Sequence, residues 1–324
     1  MAKGGVVAIG CGAVVLLSVV VLVATGVMLF IASAPPDGQE FEPEISSPQV
    51  TFPDGQPDIE APAPESESED KDTSAAGKER EGEEGGDVAS GNSELKFPDV
   101  PVAKRGNRAN GSFYKSKRIL GDIHRQGRHE KTFYCGCNYR DKDPALRSCG
   151  YRIKHSKERA ERIEYEHVVP ASRFGRTFKE WTEGHPSCPG KGRGRDCAED
   201  RSEAYQFMQA DLYNLQPAIG EVNGDRSNYE MGLLDGEARE YGKCDVEIRD
   251  RMIEPTERIR GDIARTYLYM DWAYPGRINL TKKERAMFMA WHHKDPPDKW
   301  ELDRARRIEK VQGNRNPLLA APGR

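Results

Sequence analysis

Three things are in short supply in this chain. Net charge is the first: 49 Lys+Arg against 53 Asp+Glu leave a formal -4 over 324 residues, a near-neutral total that, taken alone, argues against a polyanionic partner. Apolar residues are the second, at 36%, too few for one uniformly packed domain of this length. Closely paired thiols are the third: the seven cysteines include no C-x-x-C pair, and their spacings fit no common zinc ribbon.

The first two scarcities are averages over unlike pieces. Residues 35–103 hold 19 acidic and 4 basic residues, a net -15, while residues 1–34 carry only Lys3. The remaining stretch, 104–324, holds 44 basic and 34 acidic residues, a net +10, and is long enough to bury a real core. The chain therefore divides into an N-terminal transmembrane anchor or signal peptide (1–34), an acidic disordered linker (35–103) and a folded basic domain (104–324).

From Val6 to Ile31 the sequence has no charge and almost no polar group. That is about 39 Å of helix at 1.5 Å per residue, more than the roughly 20 residues a bilayer core requires. Ala32-Ser33-Ala34 has the small-x-small form of a signal-peptide cleavage site, but Pro35 suits that position badly and the apolar run exceeds a usual signal core. Lys3 before the span and acidic residues after it place the C-terminal bulk outside the cytoplasm. Residues 35–103, rich in Pro, Gly, Ser and Glu, read as a tether. Its carboxylates are either a solvated spacer or competitors of phosphate for the basic domain.

Six cysteines lie in the basic domain, an even number in an exported chain, and read as disulfides, with Cys188–Cys197 the local pair; zinc is the competing reading. "RIEYEHVVP" (162–170) alternates and is predicted as a strand that Pro170 stops. "DLYNLQP" (211–217) is predicted as a second strand, with Pro217 opening a helix that carries Asn223. Strand, long loop, strand, helix is the result. Phosphodiester hydrolysis needs a base for water, a hard cation on the phosphate and a cationic side chain to hold it. His167 is a candidate base, and Glu166 and Asn223 offer the oxygen donors that Mg²⁺ prefers. Neighbours on a regular strand face opposite sides, so Glu166 and His167 share a site only if the strand ends or distorts there. His124, His129 and His155 lie among basic residues and read as solvated or phosphate-facing.

"FYCGC" (133–137), "CGY" (149–151), "RIEYEHVVPA" (162–171), "DLYNLQPAIGEVNGDRSNY" (211–229), "GDIARTYLYM" (261–270) and "RRIEKVQGNRNP" (306–317) together resemble the bacterial endonuclease I family of periplasmic and secreted nonspecific nucleases. The resemblance runs in order over roughly 112–318. It implies an α+β fold with a ββα-metal (His-Me finger) site and additional helices. It also implies His167 as general base, Glu166 and Asn223 as ligands of one Mg²⁺, and an arginine before the second loop cysteine on the scissile phosphate. In "PGKGRGRDC" that position aligns with Gly194, between Arg193 and Arg195, and the role is given to Arg195. The stretch from His167 to Cys188 is longer than usual for the family, and Leu302 stands where a late cysteine is common.

Elsewhere, Ile259, Ile263, Ala264, Tyr267 and Leu268 form one helical stripe, and Thr281 with Glu284 forms a capping-box pattern. With no base-reading motif, the positive excess predicts sequence-independent, salt-sensitive binding of DNA, with RNA left open as a second substrate. The catalytic domain is expected to be monomeric. The expected activity is that of a Mg²⁺-dependent endonuclease outside the cytoplasm. A noncatalytic, membrane-tethered nucleic-acid receptor on the same fold is the alternative.

Overall fold

A computed structural model of the protein describes residues 95–320 except 189, 191 and 237. The apolar segment and the linker up to residue 94 lie outside the described residues. Among the described residues no helix is long and apolar enough to cross a membrane.

Folded structure starts earlier than composition suggests. Leu95 and Phe97 pack against the core, and Phe97 stacks on Trp272 at 5.5 Å, so residues 95–103 belong with the domain and not with the linker. The acidic average had hidden a short apolar run.

The first long helix, α1 (Phe113–Gln126), is capped by Ser112, whose side chain accepts from Lys115 N. Strand β1 spans Ile163–His167, inside the predicted stretch. The long excursion that follows carries two short helical turns, then α2 (Arg195–Arg201) and α3 (Glu203–Gln209), and is tied off by the expected Cys188–Cys197 disulfide. Strand β2 (Leu215–Ile219) returns antiparallel to β1, from Ile163 opposite Ile219 to His167 opposite Leu215, and leads directly into α4 (Gly220–Arg226).

Here the second strand differs from expectation: Leu212–Asn214 is a 3-10 turn, and Pro217 sits in mid-strand opposite Tyr165 and does not open the helix. Proline is tolerated because β1 and β2 form a two-stranded sheet, so no third strand needs its missing N–H. Its carbonyl is used, accepting from Phe133 N at 2.8 Å. Gly220 is required at the turn into α4, where a Cβ would lie 2.6 Å from the Arg159 carbonyl oxygen. Glu221 then locks α4 in place: its carboxylate accepts from the backbone N–H of Lys154, His155 and Ser156 and from the Tyr151 hydroxyl.

A three-stranded sheet follows, β3 (Glu230–Met231), β4 (Val246–Arg249) and β5 (Met252–Pro255), with β5 in the middle. Helices α5 (Arg260–Ala273), α6 (Lys282–Lys294) and α7 (Lys299–Gln312) complete the domain. The stripe on α5 is buried as expected, and Tyr267 stacks on Phe288 of α6 at 4.4 Å. The Thr281–Glu284 capping box is formed at the start of α6. Leu302, where the resemblance leads one to expect a cysteine, lies in α7, which is pinned by other means. Glu301 pairs with buried Arg265, and Arg304 donates to the Leu212 and Leu215 carbonyls at 2.7 and 2.6 Å.

The six cysteines of the domain pair as Cys135–Cys244, Cys137–Cys149 and Cys188–Cys197, which leaves no thiolate among them for zinc. The reading of His124 as solvated is corrected. It is buried on the inner face of α1, with its Nδ1 on the His129 carbonyl at 2.9 Å and its ring edge-on to Trp300. Basic neighbours in sequence point away from it on a helix, so local composition was a poor guide.

Candidate active site

β1 stays paired through His167, so Glu166 and His167 do face opposite sides of the strand. Each side is a separate environment.

On the side that looks toward α4, Glu166 is buried at 3% exposure, pairs with Arg226 at 2.7 Å and accepts from the Tyr134 hydroxyl at 2.7 Å. Arg226 is 1% exposed and also donates to the carbonyls of His167 and Val168 at 2.8 and 2.6 Å. The guanidinium thus ties helix to strand end on three oxygens. Burial works to neutralise Arg226, but Glu166 together with Tyr134 and Tyr267 outweighs it and holds the guanidinium above its ordinary range. One turn earlier on α4, Asn223 donates from Nδ2 to Glu164 at 2.7 Å, and Glu164 also binds Arg159 and Arg162. Burial opposes ionisation of Glu164, yet these hydrogen bonds keep its carboxyl below the ordinary value.

The donor set therefore differs in one respect from the sequence expectation. Glu166 is engaged by Arg226 and Tyr134, and the carboxylate beside Asn223 is Glu164. Glu164 escaped notice although it lies two residues before Glu166, on the same strand face. No group of three or more His, Cys, Asp or Glu that could hold a metal occurs among the described residues. By chemistry, the oxygens of Glu166, Glu164 and Asn223 are hard donors of the sort Mg²⁺ takes alongside water, so the residues fit such an ion. Asn223 spends its N–H on Glu164 and keeps its amide oxygen as an acceptor.

On the other side, His167 is 7% exposed, with Nε2 2.8 Å from the Gln209 carbonyl at the end of α3. A carbonyl only accepts, so Nε2 carries the proton and Nδ1 keeps the lone pair. Phe113 packs on the ring at 4.8 Å and Phe174 meets it edge-on at 6.3 Å. Burial first, and then the charge of Arg195, push the imidazole from 6.5 down to about 3. Arg226 and Lys117 act in the same direction. Arg195, the first residue of α2, is thus close enough for its charge to reach His167. Arg193, its competitor, is exposed. Both lie within the loop that Cys188–Cys197 closes or borders.

The described geometry is a buried imidazole whose Nε2 is committed to a backbone carbonyl, on the strand face opposite a set of carboxylates and an amide. A family model described as Endonuclease I matches residues 108–323. The chain belongs to the endonuclease I family. Among its relatives, Endonuclease-1 of Buchnera aphidicola subsp. Acyrthosiphon pisum is 44% identical over 214 residues, 64% of this chain and 80% of that protein. Two proteins of Aeromonas hydrophila follow: an extracellular deoxyribonuclease, 40% identical over 64% of this chain and 87% of its own length, and a periplasmic deoxyribonuclease, 43% identical over 59% and 78%. As a member of the endonuclease I family the chain is an endonuclease, with an α+β domain.

Sequence reasoning missed Tyr134, Arg226, Phe113 and Gln209, all of which touch Glu166 or His167. Only Arg226 had a usable signal, since it falls one helical turn after Asn223.

Proposed function

We propose that the protein hydrolyses phosphodiester bonds of DNA outside the cytoplasm with little regard to sequence, with His167 as general base. In this reading Nδ1 of His167 takes a proton from the attacking water. The Gln209 carbonyl fixes the ring and accepts a hydrogen bond from Nε2, which leaves the Nδ1 lone pair as the acceptor. Arg195 holds the scissile phosphate. Glu166 and Asn223 would hold Mg²⁺, with Glu164 beside them; such an ion supplies charge neutralisation at the phosphate and the leaving oxygen. Arg226 and Tyr134 position Glu166. Substrate class and location rest on the names of the relatives, extracellular and periplasmic deoxyribonucleases, and on three disulfides of the kind kept in oxidising compartments. Residues 6–31 would tether the enzyme to the membrane.

The observation that carries the proposal is the His167 tautomer, whose proton is committed to Gln209. Plasmid nicking tests it. His167→Ala should lower the rate about 10²- to 10⁴-fold with binding retained, and excess EDTA should stop nicking. Nicking that persists unchanged in the variant removes His167 from the mechanism.

A further inference from the structure

We infer that the first turn of α1 is a base-stacking subsite for the strand being cut, with Tyr114 as its platform. This rests on the nuclease reading above. Tyr114 is 68% exposed, one of few large apolar side chains left open among the described residues, and it follows Phe113, whose ring packs on His167 at 4.8 Å. Lys117, one turn on, has its Nζ 4.9 Å from the Phe113 ring and 5.8 Å from the Tyr114 ring. A strip therefore runs outward from the imidazole: a half-buried phenyl, a lysine spanning two rings, and an exposed phenol.

An exposed tyrosine alone needs no explanation. Its place one residue from the ring that packs on His167, with the Lys117 cation spanning both rings, identifies an occupant. A nucleic-acid strand laid with a phosphate at His167 brings phosphates to Lys117 and Arg195. Its neighbouring base then meets an open aromatic face, the pairing that single-strand-binding grooves use. Every base offers such a face, so the subsite grips without reading sequence, and it favours unpaired or frayed nucleotides over an intact duplex.

The test uses the full chain in a His167→Gln background, which removes the base and keeps a side chain against Phe113. Short single-stranded oligonucleotides carry one 2-aminopurine, moved position by position, and both affinity and fluorescence quenching are read. Quenching is expected at one or two adjacent positions. Tyr114→Ala should abolish it and weaken binding about tenfold, while Tyr114→Trp and Tyr114→Phe should retain both, since stacking needs the ring and not the hydroxyl. Being exposed, Tyr114 is replaceable without loss of fold. Binding and quenching that ignore Tyr114→Ala overturn the subsite and leave the nuclease reading standing. Loss in Tyr114→Phe equal to that in Tyr114→Ala overturns stacking in favour of a hydroxyl contact. Failure of any oligonucleotide to bind overturns the subsite together with the substrate class. A Tyr114-dependent quench beside plasmid nicking that survives His167→Ala upholds the subsite and overturns the base.

Discussion

The two faces of β1 are built on opposite plans. Toward α4 the charges are matched: Glu166 with Arg226 and Tyr134, Glu164 with Arg159, Arg162 and Asn223. Toward α1 and the inserted helices, His167 is packed among aromatics, and the nearby charges on that side, Arg195 and Lys117, are positive. A charge-balanced face holds geometry, and a face with a positive potential draws in an anion. One five-residue strand thus separates the carboxylate and amide side from the side that presents the imidazole.

The strongest way to break this comparison is at Arg226. Arg226→Met removes one partner of a pair that is almost fully buried and frees three oxygens at once, so a loss of about 3–5 kcal/mol is expected in chemical denaturation. His167→Gln, which keeps a side-chain N–H for the Gln209 carbonyl, should cost less, about 1–2 kcal/mol in the same measurement, while activity falls. Equal destabilisation by both variants would show that the faces are not functionally distinct.

A second prediction contrasts two buried histidines. His124, like His167, is pushed from 6.5 down to about 3, by burial and then by Arg304, but it serves only the packing of α1. Its folded value lies below its unfolded one, so the unfolded chain binds the proton first and stability falls as pH drops from about 6.5 toward 3. The full effect is on the order of 4 kcal/mol. His124→Gln should flatten the pH dependence of the melting temperature over that window without changing nicking at pH 8. A slope unchanged by the substitution would assign the acid lability to other groups.

The split was only partly legible in sequence. Glu166 and His167 on a strand and Asn223 on the following helix were legible because the strand–loop–strand–helix order is local, written in the alternation of 162–170 and in the residues after Ile219. The Thr281 capping box and the Cys188–Cys197 pair were legible for the same reason. Tyr134 and Gln209 reach the site from more than 30 residues away, and no local pattern announces such contacts. Pro217 misled because proline opens helices far more often than it sits in a strand, and only the absence of a third strand explains it. Which carboxylate stands beside Asn223 depended on register, Glu164 opposite Ala218 and Glu166 opposite Gln216, and register is a property of the pair of strands.

The smallest expected effect concerns the charge contrast at the scale of the whole chain. With the domain boundary moved to 95, residues 35–94 still carry 18 acidic and 3 basic residues, and the domain from 95 onward 45 basic and 35 acidic. The segment and the positive field at His167 are covalently joined, so the carboxylates act on the domain at high effective concentration whatever the bulk protein concentration. Deleting residues 35–94 should therefore raise affinity for DNA about two- to tenfold at 0.02 M salt, where the Debye length exceeds 10 Å, and hardly at all at 0.3 M. The effect should be larger in the Arg226→Met variant's wild-type parent than in a chain with Lys117 and Arg195 neutralised, because those cations are what the carboxylates would cover. Equal affinity with and without the segment at both salts would mean that its charge cancels the domain's only on paper, and that the positive face of β1 is already open to phosphate.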